Sequence, residues 1–124
     1  MRIHNVHERA LAAPPEVVAA WLGGGEFWPS PRPKPSEDGL TMGTMLWQPF
    51  EREDAALAFR IVSPPELRAE HWFEVVGSDG GTTLRHTIDG EAVGDGEELW
   101  RERIEPLHDW YLEQLLDRAQ EAVA

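Results

Sequence analysis

Apolar and polar residues repeat with two different periods along this chain. From Ile3 to Ala13 the period is close to two and predicts a strand. Ile3, Asn5, His7, Arg9 and Leu11 share one face; His4, Val6, Glu8 and Ala10 share the other. Pro15 then suits the first turn of a helix, where its missing N–H costs nothing. Val17, Val18, Trp21 and Leu22 follow at helical spacing, and Gly23-Gly24-Gly25 stops the helix. Residues 23–40 carry Pro29, Pro31, Pro33 and Pro35. Proline withholds the donors a sheet needs, so this stretch predicts an extended loop, either a lid or a mobile connector, rather than a strand.

Period two returns further on. Met45–Glu53 and Leu57–Val62 read as strands joined by the acidic turn Glu51–Asp54. Leu67–Val76 is the clearest strand, with Leu67, Ala69, His71, Phe73 and Val75 on one face and Arg68, Glu70, Trp72 and Glu74 on the other. Trp72 is out of phase with the apolar face and is expected to be an exposed contact point. Ser78-Asp79-Gly80-Gly81 supplies a hairpin turn, and Thr82–Glu91 returns with Leu84, His86 and Ile88 on one side. From about Glu97 to Val123 the spacing becomes three or four through Trp100, Ile104, Leu107, Tyr111, Leu115, Ala119 and Ala122, a long amphipathic helix. Pro106 inside that pattern must kink the helix or start a second one. The order is strand, short helix, antiparallel strands, long helix: an α+β chain read as one domain over residues 1–124.

Charge narrows the function. The chain holds 23 acidic and 11 basic residues, a net charge of −12, and residues 89–124 carry 11 of the acids against 3 bases. Phosphate binding depends on basic surface, so nucleic acid and anionic membrane surfaces are excluded as general partners. No apolar run approaches the ~20 residues of a membrane span, and the N-terminus lacks an apolar signal core. There is no cysteine, which removes a disulfide framework, a thiolate zinc site and a cysteine nucleophile and fits a cytoplasmic location. Nucleophile elbows, phosphate-binding glycine loops and dinucleotide fingerprints are absent from the sequence.

Four short segments, in this order, resemble the START-like helix-grip (SRPBCC, polyketide cyclase/dehydratase-like) superfamily. Leu11-Ala12-Ala13-Pro14-Pro15-Glu16-Val17-Val18-Ala19-Ala20-Trp21-Leu22 is similar to its junction from first strand to first helix. Ile61-Val62-Ser63-Pro64-Pro65-Glu66-Leu67 resembles a strand joint, Gly80-Gly81-Thr82-Thr83-Leu84 a hairpin start, and Trp110-Tyr111-Leu112-Glu113-Gln114-Leu115-Leu116 the terminal helix. The resemblance implies a curved antiparallel sheet wrapped around the long C-terminal helix, a short helix after the first strand, and a cavity between sheet and helix.

In that topology the first strand pairs with the last and the last with its hairpin partner, so His7, His71 and His86 would converge on the cavity side. Three imidazoles can hold zinc. No tight ligand motif occurs, however, and independent histidines bonded to Thr, Glu or water are the expected arrangement, with no metal and no cofactor. Arg9 shares their face and must be paired, with an acid of the chain preferred over a ligand carboxylate. Trp47, Phe73, Trp100 and Tyr111 are the expected apolar lining, joined by His7 and Arg9 as ligand-binding residues; His108 is expected at the rim. The leading expectation is a small cytoplasmic protein that binds an apolar or aromatic small molecule. The first alternative is a cyclase/dehydratase-type enzyme, with His71 or His86 as catalytic general base and Tyr111 or Arg9 as donor. The second is a partner-binding module using the acidic C-terminal third. A homodimer is the assembly expected of a small cytoplasmic domain.

Overall fold

The computed structural model describes residues 1–28 and 32–124. Strand β1 (Arg2–Leu11) leads into α1 (Pro15–Gly23) through Pro14-Pro15, as the proline at the helix start requires. Strands β2 (Lys34–Ser36), β3 (Gly39–Met42), β4 (Met45–Pro49), β5 (Leu57–Ser63), β6 (Leu67–Ser78) and β7 (Gly81–Ala92) follow. All join one curved antiparallel sheet in the order β1-β7-β6-β5-β4-β3-β2. The chain ends in a helical run: α2 (Gly96–Leu99), a π-helical turn (Trp100–Ile104) and α3 (Glu105–Val123). This is the expected α+β arrangement, with α3 packed against β1 and α1.

Three departures from the sequence pattern have physical causes. Lys34–Ser36 is a strand despite Pro35, because β2 is the outermost strand and a missing donor there breaks no central ladder. The rest of the expected lid or connector includes residues 29–31, which lie outside the described residues. Trp72 is only 7% exposed, so it is not a free contact point. The Arg52 guanidinium lies 3.7 Å over its ring, and its indole N–H donates to Glu74 Oε1 at 3.0 Å. The helix stripe also changes phase. Pro106 has no N–H and its ring crowds the carbonyl four residues back; ahead of it the Glu105 N–H bonds to the Trp100 carbonyl, five residues away. That extra residue rotates Leu107 outward, to 65% exposure, and the buried stripe of α3 becomes Leu112, Leu115, Leu116 and Ala119.

A shift of register in β4 positions one aromatic. Leu46 lies opposite Ser63, but Trp47 lies opposite Ile61 rather than Val62. Ile61 is buried and Val62 exposed, so the bulge turns Trp47 to the inner face. The inner face holds two apolar clusters. One gathers Leu11, Val18, Leu22, Phe27, Phe73, Leu84, Leu112 and Leu115. The other gathers Ile3, Ile61, Leu67, Ala69, Ile88, Ala92 and Trp100. Full burial of each Leu or Ile contributes about 1.5–3 kcal/mol. Thr82 fastens the first cluster by donating its buried hydroxyl to the Ala13 carbonyl at 2.6 Å.

Candidate functional site

Between the two apolar clusters runs a polar seam, and strand parity builds it. Along β7 the inward residues are Leu84 of one cluster, His86, and Ile88 of the other. Along β6 they are Ala69, His71 and Phe73, and along β1 Ile3, then Asn5, His7 and Arg9, then Leu11. The row runs diagonally across the strands: Asn5, Ile88 and His71 share one level, and His7, His86 and Phe73 the next. His7 pairs directly with His86 across β1 and β7, and Phe73 pairs with His86 across β6 and β7. His108 descends from α3 between them. Ring centroids run His71–His86 at 5.6 Å, His86–His108 at 5.2 Å and His108–His7 at 5.7 Å. At the inner end Trp47 stands edge-on to His71 at 4.4 Å and Phe59 stacks on it at 5.4 Å. Phe73 flanks His86 at 4.7 Å, and Trp100 lies 6.2 Å from His108.

The seam is poorly satisfied inside and richly satisfied outside. His71 Nε2, His86 Nδ1, both nitrogens of His108 and Trp47 Nε1 are buried without a hydrogen-bond partner. Leaving such groups unpaired costs about 1–3 kcal/mol each. Burial, aided by the charge of His108, pushes the His71 pKa down to about 3. Burial, with the neighbouring histidines, holds His86 well below the ordinary range. Burial and the charge of His7 outweigh Asp109 and lower His108 to about 4. These three imidazoles are therefore neutral at neutral pH.

His7 behaves oppositely. Burial works against its charge, but its hydrogen bonds to Asp109 (2.9 Å, Nε2) and Glu113 (2.8 Å, Nδ1) prevail and raise its pKa. Asp109 is correspondingly lowered: burial opposes this, and the hydrogen bonds from His7 and Asn5 overcome it.

The structure thus places His7, His71 and His86 in one row and adds His108, which the sequence pattern places at the rim. Arg9 is engaged by the chain itself, donating to Asp117 at 2.8 Å, Gln120 at 3.0 Å and Glu113 at 3.2 Å. Trp47 lies beside the seam. Phe73 and Trp100 are packed into the two apolar clusters on either side of it. The Tyr111 hydroxyl donates to the Phe27 carbonyl, which also accepts from Arg118 Nη2 at 3.0 Å.

Sequence reasoning missed Phe59 and Asp109. A signal for Asp109 exists: Asp109, Glu113 and Asp117 recur every four residues and so share one face of α3, which meets the polar face of β1 at Asn5, His7 and Arg9. Two surface grooves, one along Arg60, Val62, Arg68 and Asp89 and one along residues 49–58, lie outside the seam.

An antiparallel sheet that grips a long C-terminal helix defines the helix-grip fold of START and polyketide-cyclase-like proteins. Solved structures with this architecture resemble the chain over nearly its whole length. The protein XoxI from Bacillus cereus is 21% identical with a TM-score of 0.65, covering 97% of this chain and 94% of that one. An AHSA1-like protein from Rhizobium etli is 20% identical with a TM-score of 0.62, covering 100% and 83%. The Zhui aromatase/cyclase from a Streptomyces species is 17% identical with a TM-score of 0.57, covering 98% and 88%. No family model and no curated protein matches the sequence. At these identities the likeness establishes the fold. No helix among the described residues is long and apolar enough to cross a membrane.

Proposed function

We propose that the protein binds a small, largely aromatic molecule carrying a few hydrogen-bonding groups, held noncovalently between the sheet and α3 along the histidine seam. The observation that carries this reading is the row of buried polar atoms without partners: His71 Nε2, His86 Nδ1, both His108 nitrogens and Trp47 Nε1. Buried polar groups in folded proteins are nearly always paired. Five in one contiguous row of rings supply the donors and acceptors that a polar-tipped ligand would use. The rings of Trp28, Trp47 and Phe59, within 5.6–6.2 Å of one another, supply the flat apolar surface such a molecule needs.

Binding without covalent chemistry is favoured over general-base catalysis by the same geometry. A general base works best with a pKa near the working pH, and His71 sits at about 3. The donors that a proton-abstraction step would use, Tyr111 and Arg9, are already committed to Phe27 and to the acids of α3. Neutral imidazoles serve instead as fixed donors and acceptors.

The test is a native mass spectrum of freshly purified protein, followed by fluorescence titration with a panel of mono- to tetracyclic phenols and quinones. At least one compound should bind wild type saturably and lose at least about tenfold in affinity in His71→Phe and His86→Leu, the equivalent of about 1.4 kcal/mol. Equal binding in wild type and both variants, or no binding by any member, would sink the proposal.

A further inference from the structure

We propose that His7, His108 and Asp109 form a binding site for a divalent first-row transition ion, zinc being the best match, where β1 meets α3. One donor atom of each lies within 4.8 Å of the other two. Two of the separations are known directly: His7 Nε2 to Asp109 Oδ1 is 2.9 Å, and His108 Nδ1 to Asp109 Oδ1 is 3.6 Å. Tetrahedral zinc with bonds of about 2.0–2.1 Å separates its ligands by roughly 3.3 Å, so the two distances bracket what the ion needs. Small side-chain rotations would complete the triangle. Two imidazoles and one carboxylate, with a fourth position left for water or a donor atom of another molecule, are a ligand set suited to zinc and its neighbours.

Two further observations point to an ion rather than to an ordinary ion pair. His108 is the first. Both its ring nitrogens are buried and neither has a hydrogen-bond partner, although its side chain is only 14% exposed. A structural histidine would have been paired at one nitrogen; a metal ligand explains the lone pair left open beside Asp109.

The second is the set of groups behind the ligands. His7 Nδ1 faces Glu113 Oε2 at 2.8 Å, and Asn5 Nδ2 donates to Asp109 Oδ1 at 2.8 Å. A carboxylate behind a histidine fixes the tautomer with Nδ1–H outward and the Nε2 lone pair toward the ion. Glu113 is steadied in turn by Arg9 Nη2 at 3.2 Å. The half-exposed Asp109 leaves the site open to solvent.

His7 Nε2 and Asp109 Oδ1 hydrogen-bond to each other at 2.9 Å on the edge of the triangle that the ion would occupy. Metal binding would replace that hydrogen bond with one bond from each group to the ion. The charged and titratable groups that face His7 are Asp109 and Glu113, with Arg9 beyond Glu113 and His108 and His86 on the inner side. The ion site does not depend on the organic ligand proposed above, and its test uses ions alone.

The experiment is titration of the tag-free, chelator-treated protein. Zn2+ is followed by calorimetry and Co2+ by its visible absorption. Wild type should bind one equivalent of either ion saturably and give a four-coordinate cobalt spectrum. Asp109→Asn and His108→Phe should each abolish the spectrum. Glu113→Gln should weaken binding about 10–100-fold while keeping the spectrum. His4→Gln, which removes the exposed His4–Asp89 pair at 3.1 Å, should change nothing. Far-ultraviolet dichroism checks folding; should His108→Phe misfold, the half-exposed Asp109→Asn still decides. No saturable event in wild type, or equal affinity in wild type and Asp109→Asn, means adventitious binding to an acidic surface and overturns the proposal.

Discussion

Mild acid should unfold this protein through its histidines, well before its carboxylates titrate. His71, His86 and His108 are buried and neutral, with pKa values depressed to about 3, well below 6.5 and to about 4, against 6.5 in the unfolded chain. Above pH ~6.5 neither folded nor unfolded chain binds these protons and the three contribute no pH dependence. Below it the unfolded chain takes them up and the folded chain does not, so stability falls as pH falls, until the folded values are reached. Between about pH 7 and 5 each histidine removes about 2 kcal/mol, and the three together about 5–6 kcal/mol. That is comparable to the whole stability of a small domain, about 5–15 kcal/mol.

His7 has the opposite sign. Its raised pKa gives stability that is fully present below pH ~6.5 and lost as pH rises through the folded value, so it offsets part of the loss. Asp109, lowered below 3.8, gives stability lost only as pH falls through that lower value, outside this window. Urea unfolding followed by tryptophan fluorescence at about pH 7, 6 and 5 measures the effect. The slope near pH 5 should approach three protons taken up on unfolding, and His71→Phe should reduce it to about two. A flat profile between pH 7 and 5, or a slope unchanged in His71→Phe, would refute the neutral buried seam.

Other perturbations test the packing around it. Leu115 is fully buried at the centre of one apolar cluster; Leu115→Ala should cost about 2–5 kcal/mol in urea unfolding. Gly90→Ala would place a methyl 2.5 Å from Ala69 Cα and against the Arg68 carbonyl, and should cost about 1–3 kcal/mol by pushing β6 and β7 apart, read from the same unfolding curves. Arg52→Ala should uncover Trp72 and shift its emission to the red, at a cost in stability of about 0.5–1 kcal/mol.

Much of the fold was legible because its strands are buried on one side. In β6 the alternation Leu67, Ala69, His71, Phe73 admits a single register of faces, and the glycines of the β6–β7 hairpin fix where the chain turns back. The inward position of His71 and His86 follows from those two facts alone. The position of His108 did not follow. Pro106 announces an irregularity in the helix, but whether the helix bends, restarts or gains a residue is decided by packing against the sheet, which a one-dimensional pattern does not contain. The answer was a π turn, and it exchanged the expected inward Leu107 for His108. The β2 strand was hidden for a similar reason, since Pro35 is tolerated only because no further strand follows it. Trp72 was hidden because its cover, Arg52, comes from a loop twenty residues away in sequence.

A polar seam through the middle of a small core is an expensive way to hold a sheet to a helix. Leu at positions 71, 86 and 108 would remove unpaired nitrogens, each costing about 1–3 kcal/mol, and join the two apolar clusters into one. Stability alone therefore gives no reason for the seam, and its layout is not that of scattered exceptions. His7, the member nearest the surface, has both ring nitrogens bonded by α3, whereas the inner members keep open nitrogens. Most of the buried open polar atoms fall in this one row flanked by aromatic rings, and they are the groups that the proposed ligand would satisfy. Filling it should raise stability by mass action. The two proposals use its two ends: organic ligand toward Trp47 and Phe59, ion toward Asp109. His108 touches both, so an ion held by its Nδ1 would orient the ring that faces His86 and pre-set the inner site. The two occupants should then bind with positive coupling, each raising the affinity of the other by the same factor.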